Sequence, residues 1–309
     1  PDLDNASGGN MKTKILSIIF ILITISSISA KEVLVVGTYD SFSAEWGPGP
    51  VIETEFEKNC NCDVQYVSTS QAGTLANEIF LKDKDVILGV EMHEFDYTSE
   101  NWNIYDYGYF SFIYNEETLK DIPNSFEELI NHKNLKIVVQ DPRTSPVGLG
   151  LLRWMKLTHP DNFPTILKKF NNNVLTYTPG WSEAYGIFLE GKADLVLSYS
   201  TSPFYHQEYE DEYKYKAIEF TDGHLVTKEI VYVRPDSEKQ NLGKEFIEFM
   251  MRDNIQKIIA QMNIMYPARE NDNNIPDRMR KLKKPKEIKY DNFLEAEPLI
   301  KIWLEVASS

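Results

Sequence analysis

Val33-Leu34-Val35-Val36-Gly37-Thr38-Tyr39-Asp40-Ser41-Phe42-Ser43-Ala44-Glu45-Trp46-Gly47-Pro48-Gly49-Pro50 sets the reading of this chain. An apolar run ends in a loop of aromatic, acidic, glycine and proline residues. Such a strand puts rigid aromatic faces at its carboxyl end, where open α/β sheets hold their ligands. Two aromatics beside Asp40 and Glu45 suit a flat, cationic small molecule. The competing reading makes Tyr39 and Trp46 core aromatics, but the flanking Gly and Pro residues place them in a loop.

Outward from this segment, strands and helices alternate. Apolar runs predict strands over 63–67, 85–89, 107–114, 136–139, 193–197 and 228–233. Helical patterns fall over 51–58, 74–81, 126–131, 148–156, 164–171, 182–190, 241–251 and 294–306. Ser125 and Glu128 have capping-box spacing. Continuous apolar strands separated by helices imply parallel, doubly covered sheets. The Lys-, Asn- and Pro-rich stretch 269–289 is expected to be exposed. Two such α/β series, joined by long strands, predict an α/β fold of two lobes around a ligand cleft. The first lobe is expected to comprise 31–108 and 223–309, and the second 109–222.

Residues 1–10 are polar and read as an added or upstream leader. Residues 11–30 have the order of a secretory signal peptide. Lys12 and Lys14 precede an apolar run at 15–25, broken only by Ser17 and Thr24, and small residues follow at 26–30. The run is too short to span a bilayer. Cleavage is expected near Ala30/Lys31, giving a soluble exported protein. Among 309 residues the net charge is −15. Residues 1–30 carry two lysines and two aspartates, so their loss leaves that charge unchanged. Such a surface disfavours nucleic acid and anionic membranes. Cys60 and Cys62, the only cysteines, suit a small disulfide in an oxidising compartment; a metal site and a catalytic thiol are the alternatives.

Four further segments join a strand to a helix. Ser68-Thr69-Ser70-Gln71-Ala72-Gly73-Thr74 can bring backbone N–H groups to an anion, or simply cap a helix. Gln140-Asp141-Pro142-Arg143-Thr144-Ser145 offers hydroxyl donors from Thr144 and Ser145. It lacks a phosphate-loop lysine, so nucleotide hydrolysis is not indicated. Gly180-Trp181-Ser182-Glu183-Ala184-Tyr185-Gly186 sets Trp181 before a helix, facing either ligand or core. Ser198-Tyr199-Ser200-Thr201-Ser202-Pro203-Phe204-Tyr205-His206 gathers hydroxyls beside two tyrosines. Ser202 and His206 raise a hydrolase reading, but the chain has no Gly-x-Ser-x-Gly elbow there.

In this order and spacing, the segments resemble the thiamine-binding receptors of bacterial ABC importers, within the type II periplasmic binding proteins. The resemblance runs from Lys31 to about Pro267. It rests most on 38–42, 46–50, 60–62, 106–110, 140–145, 180–186 and 194–206. It implies a non-enzymatic periplasmic receptor, monomeric and without a cofactor. The receptor takes thiamine, its phosphate or its diphosphate, and delivers it to an ABC permease in the inner membrane. It also implies ligand contacts at Tyr39, Trp46, Gln71, Ala72, Thr144, Ser145, Trp181, Tyr199, Ser200, Thr201, Ser202 and Tyr205. The aromatics would take the two rings, and the hydroxyls and N–H groups the phosphate or hydroxyethyl end.

Three positions depart from the pattern. Gln71-Ala72 replaces an acidic residue and a glycine, Ile264 replaces a tryptophan before Met265-Tyr266-Pro267, and the stretch 91–106 is shorter. Three competing readings are carried forward. A polyamine receptor would use cleft carboxylates such as Asp40, Glu45, Glu91 and Asp106. An iron receptor would use adjacent tyrosines, which the chain lacks. A thiamine-degrading enzyme would need Cys60 or Cys62 in the cleft.

Overall fold

The computed structural model describes residues 30–291 and 294–308. Glu32–Ser309 forms one compact unit. The expected leader and signal segment lie outside the described residues, apart from Ala30.

The first sheet is built by β1 (Glu32–Tyr39), β2 (Cys62–Thr69) and β3 (Val86–Glu91). β1 pairs in parallel with both of the others. Between β1 and β2 run α1 (Asp40–Ser43) and α2 (Gly49–Cys60). Pro50 lies in the first turn of α2, where its missing N–H costs nothing. Asn61 ends α2 in the left-handed region at φ 48°. The flanking Cys60 and Cys62 are joined in a disulfide, with Cα atoms 5.1 Å apart.

The helix expected over 74–81 is reduced to a single 3₁₀ turn at Ala72–Thr74 and α3 (Glu78–Leu81). Asn77 interrupts it by capping α3, accepting the Ile79 N–H at 3.1 Å. The short 91–106 stretch turns back on itself through packed rings. Phe95 lies 4.6 Å from Tyr97, 5.7 Å from Trp102 and 4.8 Å from Tyr232.

β4 (Trp102–Asn115) is the shared strand. Its first half pairs with β9 (Val226–Val233), which also pairs with β3. Its second half pairs with β7 (Leu195–Tyr199). Between these passes come α4 (Phe126–Asn131), β5 (Ile137–Gln140), α5 (Pro146–Thr158), α6 (Phe163–Asn171), β6 (Val174–Thr178) and α7 (Trp181–Leu189). β7 is followed by α8 (Ser202–Tyr209) and β8 (Tyr215–Ala217), and β8 pairs with β4. The order β2-β1-β3-β9-β4-β7-β5-β6 is therefore one sheet with a large core on each side of the shared strand, the two-lobed arrangement expected. The sheet is not parallel throughout as expected, because the long strands β4 and β9 run antiparallel to their neighbours. At α4, Ser125 accepts the Glu128 N–H at 3.1 Å. The Glu128 carboxylate caps Asn124 N–H at 2.9 Å rather than Ser125.

After β9 come α9 (Gln240–Met250), α10 (Asp253–Met262), β10 (Tyr266–Pro267), α11 (Asp277–Arg280) and α12 (Ala296–Ala307). Two expectations are corrected here. The 269–289 stretch is not wholly exposed: Asn274, Ile275 and Met279 are buried, and Ile275 and Met279 pack with Phe204 and Tyr266. Nor does the whole of 223–309 return to the first lobe. α12 lies on α5 and α6, because Leu299 and Trp303 complete the core around Leu151, Trp154 and Phe170.

At the crossing between lobes, His224 is fully buried. Its Nδ1–H donates to Phe110 O at 2.7 Å and its Nε2 accepts the Phe220 N–H at 2.7 Å. Burial pushes its pKa down, consistent with a neutral ring. Nearby, Arg153 of α5 reaches Glu94 at 2.6 Å and Glu91 of β3 at 3.6 Å. His93 lies between Glu91 at 2.8 Å and the Tyr290 hydroxyl at 2.5 Å.

Candidate functional site

The carboxyl ends of β1, β2 and β7 and the N-termini of α5 and α7 converge on a cavity of about 710 Å³. Its wall holds Tyr39, Trp46, Trp181, Tyr185, Tyr199, Tyr205 and Tyr209. Asp40, Glu183 and Glu229 are its acids; among the described residues no lysine, arginine or histidine lines it. The size suits a small organic molecule. The acids and aromatic faces favour positive charge.

Local structure fixes each wall. Gly89 adopts φ 100° at a bulge in β3, and the Tyr39 ring lies directly on it. A side chain at 89 would displace that ring. Trp181 stacks on Tyr185 at 4.8 Å, and Tyr185 on His206 at 5.9 Å. The Trp181 Nε1–H donates to Ser198 Oγ at 2.7 Å, and Ser198 bonds Ser202 Oγ at 2.8 Å. Trp181 is thus held from behind while one face meets the cavity. α7 begins at Gly180 without a side-chain cap, so its first turn presents backbone donors beside the cavity.

Beneath Tyr39 lies a polar knot. Glu229 accepts hydroxyl bonds from Tyr39 at 2.8 Å and Tyr105 at 2.5 Å. Asn263 Nδ2 donates to Asp106 at 2.7 Å and to Tyr39 at 2.9 Å. Desolvation, followed by repulsion between the two carboxyl groups, holds the Asp106 pKa well above the usual range. Desolvation also raises Glu229, against the hydrogen bonds from Tyr105 and Tyr39.

Across the mouth the lobes touch. The Gly73 N–H, after β2, donates to Thr144 O, before α5, at 3.0 Å. Gly180 lies so close to Ser70 that an added Cβ would stand 2.5 Å from the Ser70 carbonyl oxygen.

Residues 82–296 match the family of bacterial extracellular solute-binding proteins. The chain belongs to this family. It is 38% identical over 293 residues to a thiamine-binding periplasmic protein of Escherichia coli K12, covering 86% of this chain and 89% of that one. It is 36% identical over 284 residues to the thiamine-binding periplasmic protein of Brucella melitensis, covering 83% and 85%. A solved periplasmic thiamin binding protein superposes with a TM-score of 0.83 at 35% identity, covering 90% of this chain and 97% of that one.

In this solute-binding protein, eight of the twelve expected contact residues line the cavity: Tyr39, Trp46, Ala72, Ser145, Trp181, Tyr199, Ser202 and Tyr205. The other four do not. Gln71 is used by its backbone, whose carbonyl takes the Thr74 hydroxyl at 2.7 Å. The Thr144 hydroxyl donates to Pro179 O at 2.7 Å. Ser200 and Thr201 are buried behind the wall, where β7 turns into α8. Ser145 does reach the cavity, but its hydroxyl also caps α5 by accepting the Val147 N–H at 3.3 Å.

Sequence reasoning missed Glu229 and Gln261, Met262 and Asn263, the residues leading up to the altered position Ile264. The available signal was a carboxylate opening the apolar run Ile230–Val233 of the strand Val226–Val233. Ile264 lines the cavity at φ 59°, a region a β-branched residue rarely enters. Left-handed backbone costs an L-residue about 1–2 kcal/mol. Ile264 is only half-buried, so its truncation should cost less than the about 2–5 kcal/mol of a buried isoleucine, and with the strain released Ile264→Gly is expected to change stability by less than about 1 kcal/mol. A urea titration reads the difference, and a loss in the ordinary range would mean no strain is released.

Proposed function

We propose that this protein is the thiamine receptor of an ABC importer and works in the periplasm. The observation that carries the reading is the cavity itself: stacked aromatic faces and acids, with no cationic side chain on its described wall. It lies in a chain 38% identical to a thiamine-binding protein over most of its length. A thiazolium ring can lie against the tyrosine and tryptophan faces, each cation–π contact contributing about 0.5–2 kcal/mol. The hydroxyethyl or phosphate end would face the uncapped start of α7. Lobe closure at the Gly73–Thr144 contact would present a defined surface to the permease. The receptor acts as a monomer, and residues 11–30 would direct export.

Isothermal titration calorimetry of residues 31–309 with thiamine, its monophosphate, its diphosphate and spermidine tests this. One-to-one binding of a thiamine species, tighter than spermidine, is expected. Spermidine binding alone would replace the reading with the polyamine one, since three acids line the same wall.

A further inference from the structure

Asp106 and Glu229 lie together under the cavity floor. Asp106 is fully buried, and Glu229 shows one face to the cavity. Asp106 Oδ2 takes the Asn263 amide, while Oδ1 has no donor from any N–H or neutral hydroxyl group. Asp106 of β4 and Glu229 of β9 stand directly opposite each other as register partners in the antiparallel pair, and each carboxyl group acts on the other. The groups that act on the pair come from every neighbouring element: Tyr39 of β1, Tyr105 of β4, Tyr199 of β7 and Asn263 after α10. Glu91 of β3 acts on Tyr199 and is paired with Arg153. Among the described residues, no ion pair joins a lysine, arginine or histidine to either carboxyl group.

We infer that Asp106 and Glu229 share one proton and form a single negative charge under the cavity, and that this charge selects a ligand with a positively charged ring over an uncharged one of the same shape. Two like charges in contact cannot both ionise in a buried site. The orphaned Asp106 oxygen carries the proton and donates it toward Glu229. Glu229, already holding two tyrosine donors, is the ionised member. Where the ligand is thiamine, as proposed above, the selected group is its thiazolium.

The sign of the pH effect differs between folding and binding. Both acids titrate higher when folded than unfolded. The pair's contribution to stability is therefore fully present below the ordinary carboxylate range and is lost as pH rises through the folded values. Cation binding needs only the single charge, so it weakens as pH falls through the lower of the pair's two steps, where the second proton is taken up.

The test compares wild type, Glu229→Gln and Asp106→Asn, each checked for native circular dichroism. Titrations use thiamine, its uncharged thiophene analogue and oxythiamine, which keeps the ring charge but replaces the 4-amino group. Glu229→Gln is expected to weaken thiamine and oxythiamine by about 10- to 100-fold and the thiophene analogue by less than about 3-fold. Asp106→Asn is expected to retain cation selectivity but to lose binding at a higher pH than wild type, because the Asp106 hydrogen bond that holds the Glu229 pKa down is removed. Equal losses for all three ligands, or a loss confined to the 4-amino compounds, would overturn the inference. Melting of the ligand-free protein between about pH 5 and about pH 8 gives a readout independent of thiamine. Wild type should lose stability relative to Asp106→Asn as pH rises; parallel curves would exclude a shared proton. If wild type bound no thiamine form, the functional reading would fall while the melting curves still judged the pair.

Discussion

Trp154→Ala is expected to cost about 3–5 kcal/mol of folding stability, the largest effect of any single truncation considered. Trp154 is fully buried in α5. Its ring lies 4.7 Å from Phe126, 5.2 Å from Phe220 and 4.9 Å from His224. Its Nε1–H donates to Gly223 O at 2.8 Å. Truncation leaves a cavity among rigid rings that cannot collapse to fill it, and strips a buried carbonyl of its donor. Because Gly223 and His224 sit at the crossing between lobes, the damage should reach the hinge. Guanidinium denaturation measures the loss. Trp154→Phe, which keeps most of the volume but not the N–H, should fall between the two. A loss below about 1.5 kcal/mol for the alanine variant would mean the ring cluster repacks.

The second large effect concerns closure. Gly73→Val is expected to weaken thiamine binding by about 10- to 100-fold, or about 1.4–2.8 kcal/mol, while moving the ligand-free midpoint by less than about 0.5 kcal/mol. Gly73 is exposed and does not line the cavity. A Cβ there would stand 2.9 Å from the Thr144 carbonyl carbon across the mouth. In an open molecule the valine meets only water, but on closure it strikes backbone that cannot yield. Calorimetry reads the affinity. Small-angle scattering with saturating ligand should show the variant more extended than wild type. Unchanged affinity would mean that binding does not need this loop contact.

The sequence made the framework legible wherever one segment carried the whole signal. β1 with its aromatic loop, β3, β5 and the Ser125 cap each declare themselves within a few residues. The Cys60–Cys62 bridge does so as well. Legibility failed where structure is made by distant segments. Glu229, Asp106 and Asn263 come from β9, β4 and the turn after α10, and nothing local announces that they meet. α8 was hidden because Ser, Pro, Tyr and His read as loop, although Pro203 starts the helix well. The resemblance assigns Ser200 and Thr201 to the ligand, while the structure buries both where β7 turns into α8; period and composition do not say which way a tight turn faces. The tail misled by composition: its lysines are outside, but Ile275 and Met279 are enough to pin it down.

One consequence follows from the path of the tail. β1 sits in the first lobe, while α12 is fastened to α5 and α6 of the second. A donor fluorophore beside Glu32 and an acceptor at Ser308 would therefore ride on opposite sides of the hinge. Their energy transfer should change with every capture and release, so the receptor could serve as an optical gauge of its own ligand without any inserted reporter domain.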